Sequence, residues 1–386
     1  MSRLAAALVA ALVAIGVAAK TSHAAPGLQV GLYDEGQVLF GDPDKVFPVL
    51  AQLHVQVLRV SLYWGGPHGV AKARPASPTN PNDPAYDWSI YDRADQYAHE
   101  YGMALLLSVV GTPAWANGGR APNVAPASSL DLRRFAYAAA RRYSGGFLGT
   151  DGRTLPPVRL WLAWNEPNNP VFLTPQFRKV AGSWRIQSAT DYAKICQAVY
   201  NGVHATKLAG EKVACGGTSP RGNNLPSSDR PSVSPLAFIR ALAKAGLKQF
   251  DAYAHHPYYS QPQETPATTP PLIGKTPPTA VILGNIKTLI SQVTSLWGPR
   301  RIWITEYGYQ TNPPDKTFGV SWAKQAAYLK QAYAIARANP RIDMMLWFLL
   351  RDEAPLSGWQ SGLITVSGAK KPAFGAFQQV AALARP

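Results

Sequence analysis

The sequence predicts a single (β/α)8 barrel, and three observations carry that prediction. Eight short apolar runs alternate with eight longer helical patterns. No Pro/Gly/Ser-rich linker separates a second module. The first run leads into Leu32-Tyr33-Asp34-Glu35-Gly36 and not into a glycine-rich phosphate turn. Regular strand–helix alternation gives a parallel sheet, and eight units suffice to close it. An open doubly wound sheet usually carries a glycine-rich turn after its first strand, so it is the poorer fit.

The eight runs are Leu28–Tyr33, Val57–Trp64, Ala104–Val110, Val158–Trp164, Val213–Gly217, Phe250–Ala254, Arg301–Thr305 and Met344–Leu350. Most are apolar at odd and even positions alike, as strands buried on both faces should be. Helical patterns fill the intervals at Asp42–Leu53, Asp87–Tyr101, Ser128–Gly145, Ala189–Lys207, Pro235–Ala245, Ala280–Leu296, the stretch after Ser321, and Ala373–Leu383. Ser89 with Asp92, and Ser128 with Asp131, have capping-box spacing. After Ser321, the residues Trp322, Ala326, Leu329, Tyr333 and Ala336 share one helical face. Three long loops, Asn168–Gln187, Ser219–Ser234 and Ser260–Thr279, follow strands and so belong on the C-terminal face of the barrel. The third is rich in Pro and Thr and is either a wall over a cleft or a disordered insertion.

The N-terminus reads as a secretory signal peptide over residues 1–24. Arg3 is a short basic region, Leu4–Ala19 an apolar one, and Ser22-His23-Ala24 a small-x-small cleavage site. Lys20 interrupts the apolar run before it reaches the roughly 20 residues of a membrane span. The expectation is a secreted, monomeric protein whose domain covers residues 25–386, with no transmembrane segment after cleavage. Removal of 24 of the 386 residues leaves 362.

Composition narrows the chemistry. A hydrophobic content of 46% supports a large core and excludes a disordered chain. Two cysteines exclude a cysteine-based scaffold and a four-thiolate zinc site. Cys196 falls within a helix and Cys215 in the fifth strand. A bridge there would stabilise by about 3 kcal/mol on the chain-entropy model, but two buried free thiols are the favoured reading. The formal charge is +16, of which Arg3 and Lys20 account for two, leaving +14 in the remainder. That balance raises nucleic acid, an anionic glycan or an anionic surface as partners. No nucleic-acid motif accompanies it, and basic pairs such as Arg133-Arg134, Arg141-Arg142 and Lys370-Lys371 are spread along the chain, so no nucleic-acid partner is expected. No metal-ligand spacing, P-loop or dinucleotide fingerprint occurs, so neither a metal nor a cofactor is expected.

Two strand ends carry the candidate chemistry. The fourth run passes into Asn165-Glu166-Pro167-Asn168, and the seventh into Glu306-Tyr307-Gly308-Tyr309. A carboxylate directly after a buried run is costly unless it is paired or hydrogen-bonded. Strands four and seven face one another across a closed barrel, so the two glutamates can flank a small substrate. Cleavage of a glycosidic bond needs such a pair, one to protonate the leaving oxygen and one to attack or to activate water.

At these residues the sequence resembles a known group. Trp164-Asn165-Glu166-Pro167 and Ile304-Thr305-Glu306-Tyr307-Gly308 look like the two signatures of clan A retaining glycoside hydrolases, closest to family 39 with family 5 second. Other features similar to that clan recur in order: Arg59 in the second strand, Thr112-Pro113-Ala114-Trp115-Ala116 after the third, Asp251 and His256-Pro257-Tyr258 at the sixth, and Trp347 in the eighth. In family 5 a His commonly follows the third strand, whereas Val109-Val110-Gly111-Thr112 stands here. The resemblance implies Glu166 as acid/base and Glu306 as nucleophile, about 5–5.5 Å apart. It implies Asn165 on the sugar 2-hydroxyl, Tyr258 and Arg59 holding the nucleophile ionised, His256 on the acid/base side, and Trp347 as a stacking platform. His255 and His256 are adjacent on a strand and point to opposite sides, so His256 alone is expected at the site. Trp64, Trp115 and Trp164 are further candidates for sugar stacking. Asp34 and Glu35, and Arg351-Asp352-Glu353, are either sugar contacts or surface groups. The implied partner is a poly- or oligosaccharide, with an anionic or cell-envelope glycan suggested by the charge. The alternative is a non-catalytic glycan-binding barrel.

Overall fold

A computed structural model describes residues 27–271 and 279–384. The proposed signal peptide and part of the third long loop lie outside these residues. The strands are β1 (Gln29–Tyr33), β2 (Val57–Tyr63), β3 (Ala104–Val110), β4 (Leu160–Ala163), β5 (Phe177–Val180), β6 (Ser183–Ile186), β7 (Lys212–Thr218), β8 (Ala252–His255), β9 (Arg301–Tyr307) and β10 (Ile342–Phe348). All but β5 and β6 pair in parallel into a closed barrel of order β1-β10-β9-β8-β7-β4-β3-β2. The helices are α1 (Glu35–Phe40), α2 (Pro43–Gln52), α3 (Ser89–Glu100), α4 (Ala114–Asn117), α5 (Ser129–Arg142), α6 (Gln187–Val203), α7 (Pro235–Lys244), α8 (Ile286–Trp297), α9 (Trp322–Arg337) and α10 (Pro372–Ala382). The eight apolar runs are thus the eight barrel strands, and the predicted helices recur within a few residues at each end.

Strand parity divides the core in two. Val57, Leu106, Leu162, Ala214, Ala252, Ala254, Trp303, Met344 and Leu346 fill the barrel interior. Residues of the opposite parity, such as Leu58, Leu107, Trp161, Cys215, Tyr253, Ile304 and Trp347, belong to the larger core shared with the helices. Gly31 is required by this packing, because a Cβ there would stand 2.4 Å from the Val57 carbonyl oxygen and 2.8 Å from Leu346. Above the apolar floor the interior turns polar, with Arg59, Ser108, His256 and Thr305 all fully buried.

Three local expectations are corrected. Cys196 of α6 and Cys215 of β7 form a disulfide with a Cα–Cα distance of 5.9 Å. They are not free thiols: the outward parity of Cys215 aims it at the helix that covers its strand. Ser89 and Asp92 form no capping box. The Ser89 hydroxyl bonds to Asp87, and Asp92 is buried against the guanidinium of Arg142 at 2.8 and 2.5 Å. Ser128 and Ser321 do cap α5 and α9, accepting from Leu130 N and Lys324 N. The loop Asn168–Gln187 contains the antiparallel hairpin β5–β6, which turns at Ala181 and Gly182, both of positive φ.

Candidate active site

Arg59, at the centre of β2, organises the barrel mouth. It points inward, and nothing of it reaches solvent. Its Nε donates to the Ser108 hydroxyl at 2.8 Å, one Nη to the Asn165 Oδ1 at 2.7 Å, and the other to the Glu306 carboxylate at 2.7 Å and the Thr305 carbonyl at 3.1 Å. A buried guanidinium is tolerable only when its donors are met and its charge is paired. Both conditions hold, and in meeting them Arg59 ties the end of β4 to the end of β9.

Glu306 accepts from Arg59 on Oε1 and from the Tyr258 hydroxyl on Oε2 at 3.1 Å. Two donors, one of them fully charged, favour the ionised carboxylate. The Tyr258 phenol is held well above its ordinary pKa by burial and then by the charges of Glu306 and Glu166, so it remains a donor.

Glu166 has different neighbours. It follows Trp164 and Asn165 in a backbone turn where Trp164 (φ 69°) and Glu166 (φ 35°) both enter the left-handed region. For residues other than glycine this is uncommon and costs on the order of 1–3 kcal/mol. Bonds from Trp164 N to Val109 O (2.8 Å) and from Glu166 N to Gly217 O (2.9 Å) hold the turn from both sides. The carboxylate accepts from Asn169 Nδ2 at 3.0 Å and lies 3.1 Å from His256 Nδ1. Burial pushes its pKa up to about 7, with Asn169, Arg59 and Arg230 opposing the rise. His256 is held down to about 4 by burial and is therefore neutral near pH 7. Its Nε2 lies 2.9 Å from the Thr305 hydroxyl. With Glu166 ionised, both bonds are satisfied when Nδ1 carries the proton and Nε2 accepts from Thr305.

The two glutamates and His256 each present a ligand atom within 4.8 Å of the others. One oxygen of each glutamate is therefore close enough to the other for both to act on one small group. Three such atoms also resemble a metal ligand set. The Arg59 guanidinium, 2.7 Å from Glu306, sets a full positive charge against that set, so its chemistry suits protons better than a divalent ion.

The site opens into a cleft of about 960 Å³ lined by Asn165, Glu166, Tyr258 and Glu306 together with groups the sequence did not single out. Among these are Asn169 and Arg230 on the side of Glu166, and Arg221, Tyr33, Phe348 and Trp359. His255 points away, to Thr218 and the Val281 carbonyl. Asp34 is buried as a backbone acceptor for Gln37, Leu350 and Arg351. Glu35 lines the cleft. Asp352 pairs with Lys371 at 2.7 Å and Glu353 accepts from Trp359 N at 2.6 Å, so both serve their own loop.

None of the four expected aromatic contacts lines the cleft. Trp347 is fully buried on the helix-facing side of β10, with its indole N–H on the Ser361 carbonyl at 2.9 Å. The parity that sends Met344 and Leu346 into the barrel sends Phe348, one residue on, to the mouth, and Trp359 packs against it edge-on at 5.3 Å. Trp115 sits on α4 with the Arg74 guanidinium over its ring at 4.7 Å and the buried Trp64 at 5.6 Å. It contributes packing there. Trp164 lines a smaller adjoining depression of about 360 Å³.

No protein-family model matches the sequence, and no curated protein does. Solved structures do resemble the fold. A family 39 glycoside hydrolase from the gut symbiont Bacteroides cellulosilyticus WH2 superposes with a TM-score of 0.65 at 20% identity, over 93% of this chain and 64% of that one. A glucosidase from Croceicoccus marinus gives 0.66 at 14% identity, over 94% and 69%. A family 39 β-xylosidase from Caulobacter crescentus gives 0.58 at 15%, over 93% and 73%. This chain therefore spans about two thirds of the length of the first two. At such identities the likeness is one of architecture: the chain has the (β/α)8 barrel of these glycoside hydrolases.

Proposed function

We propose that this protein is a secreted, retaining O-glycoside hydrolase acting on a poly- or oligosaccharide by double displacement. The observation that carries the reading is the paired carboxylates of Glu166 and Glu306. One oxygen of each lies within 4.8 Å of one of the other across the barrel mouth, and while burial raises the pKa of Glu166, Glu306 accepts from Arg59 and Tyr258. Glu306 attacks the anomeric carbon while Glu166 donates its proton to the leaving oxygen. Water, deprotonated by Glu166, then releases the sugar from Glu306. Arg59 and Tyr258 keep Glu306 anionic between turnovers. Asn165, fixed by Arg59, offers its side-chain amide N–H to the sugar 2-hydroxyl. His256 orients Glu166. Phe348 and Trp359 take the stacking role that the resemblance assigned to Trp347. The basic excess supports an anionic or envelope glycan as the natural substrate, acted on by a monomer.

The test is a pair of variants assayed against a polysaccharide panel with product sizing. Glu166→Ala and Glu306→Ala should each lower kcat by about 10⁴-fold or more. Azide should restore turnover to Glu306→Ala with inverted anomeric configuration. Wild-type rates in either variant would sink the assignment.

A further inference from the structure

The two walls of the cleft carry opposite charge, and this difference extends the reading above to the kind of sugar each wall receives. On the Glu306 side stands Glu35, just past β1. Its carboxylate accepts from the Tyr33 hydroxyl at 3.0 Å and the Tyr63 hydroxyl at 2.6 Å and faces the cleft. Tyr33 joins this wall to the nucleophile, with the Arg59 guanidinium 4.3 Å over its ring and Phe348 at 5.3 Å. A fixed carboxylate here accepts sugar hydroxyls and repels an oxyanion.

The loop after β7 brings two guanidinium groups to the cleft, Arg221 and Arg230, and of these Arg230 stands toward Glu166. Arg221 is already engaged, with the Tyr258 carbonyl at 3.1 Å and the Glu264 carboxylate at 3.3 Å. The side chain of Arg230 has no protein hydrogen bond, ion pair or ring contact among the described residues. Its backbone is held in place: Arg230 N donates to the Ser228 hydroxyl at 3.2 Å, and Asn223 Nδ2 donates to the Arg230 carbonyl at 3.0 Å. Asn224 ties the same loop to Ser234 at 2.8 and 3.0 Å. Its neighbour Asp229 is exposed and does not line the cleft. Arg230 is close enough for its charge to act on Glu166. The result is a cation carried on a tethered loop, unpaired, beside the group assigned to the leaving oxygen. A guanidinium is suited to carboxylate, sulfate or phosphate, which it can bind through two parallel N–H bonds.

The geometry points to a polarised cleft that takes an uncharged sugar on the Glu306 side and, on the Glu166 side, a sugar bearing an oxyanion substituent received by Arg230. The assignment of the Glu166 side to the leaving group rests on the glycosidase reading; the anion subsite itself does not.

The experiment measures binding of the full chain to defined tetrasaccharides by calorimetry at low ionic strength. The neutral probes are xylotetraose and cellotetraose. The anionic probes are a tetragalacturonide, a sulfated galactan tetrasaccharide and a phosphorylated glucan tetrasaccharide, which separate the three oxyanions. At least one anionic probe should bind about tenfold or more tighter than both neutral ones. Arg230→Gln should erase the preference, and Arg230→Lys should restore part of it. Equal binding of neutral and anionic probes, or a preference that survives Arg230→Gln, overturns the subsite. Product release is scored separately. Arg230-dependent binding with no product from any probe counts against the catalytic reading and leaves the subsite standing. Cleavage of neutral probes with no Arg230-dependent preference overturns the subsite alone.

Discussion

The end of β4 and the end of β9 each place a glutamate at the mouth of the same barrel, and the two surroundings differ in kind. Glu306 is met by a fully charged guanidinium at 2.7 Å and a phenol at 3.1 Å. Glu166 is met by an amide at 3.0 Å and a neutral imidazole at 3.1 Å, and burial dominates its titration. One residue type thus acquires two settings from its neighbours: a carboxylate bonded to a guanidinium, and a carboxyl that burial leaves holding a proton near neutrality. Arg59 is the hinge of this difference, since it donates directly to Glu306 but at the β4 end bonds to Asn165 and acts on Glu166 only by its charge.

The comparison can be broken in graded ways. The largest effect after loss of a glutamate belongs to Arg59→Met, which removes the charge bonded to Glu306. It should lower kcat by about 10²–10³-fold while the chain remains folded by circular dichroism. A loss of less than about threefold would mean that Glu306 does not depend on Arg59 for its charge. A smaller effect belongs to Asn169→Ala. Asn169 donates to the ionised form of Glu166 and so lowers its pKa. Without it, Glu166 should hold its proton to higher pH, and the alkaline limb of kcat/KM, near pH 7 in the wild type, should move up by about one unit. A downward shift would reverse the sign of the argument.

The smallest effect is on stability. A carboxyl whose pKa is raised on folding disfavours the folded state as pH climbs from its unfolded value through about 7, because the buried charged form is then required. Glu166→Gln should therefore raise Tm relative to wild type at pH 8 and do so less at pH 5. The same substitution at Glu306 should not stabilise, because it leaves the Arg59 charge buried without a partner. Stabilisation by Glu306→Gln at pH 8 would erase the distinction between the two ends.

Much of this difference was open to reading in the sequence. Apolar runs ending in Asn165-Glu166 and Thr305-Glu306 marked the two strand ends; strand alternation allowed only one of His255 and His256 at the site, and the His256-Pro257-Tyr258 resemblance chose His256. The resemblance alone put Trp347 in the cleft. Barrel strands are buried on both faces, and in Ile342–Phe348 only Asp343 breaks the apolar run, too little to say which residues look inward. Asn169 and Arg230 were not legible as cleft groups, and Glu35 stayed between sugar contact and surface group, because each sits outside the barrel strands, where no periodicity fixes direction. The β5–β6 hairpin left a faint signal in Ala181-Gly182 between Phe177-Arg178-Lys179-Val180 and Ser183-Trp184-Arg185-Ile186, a two-residue turn of positive φ. The disulfide needed both the outward parity of Cys215 and the docking of α6 over β7, and only the second of these is a property of sequence order.

The central claim is that Glu306 becomes covalently bonded to sugar while Glu166 does not. Incubation with 2-deoxy-2-fluoro glycosides, which slow release of the glycosyl-enzyme, followed by intact-mass spectrometry and peptide mapping, tests it directly. The account predicts one added glycosyl unit, on the peptide containing Glu306, formed more slowly in Arg59→Met. A label on the Glu166 peptide, or hydrolysis with no label on Glu306 during turnover, would contradict it.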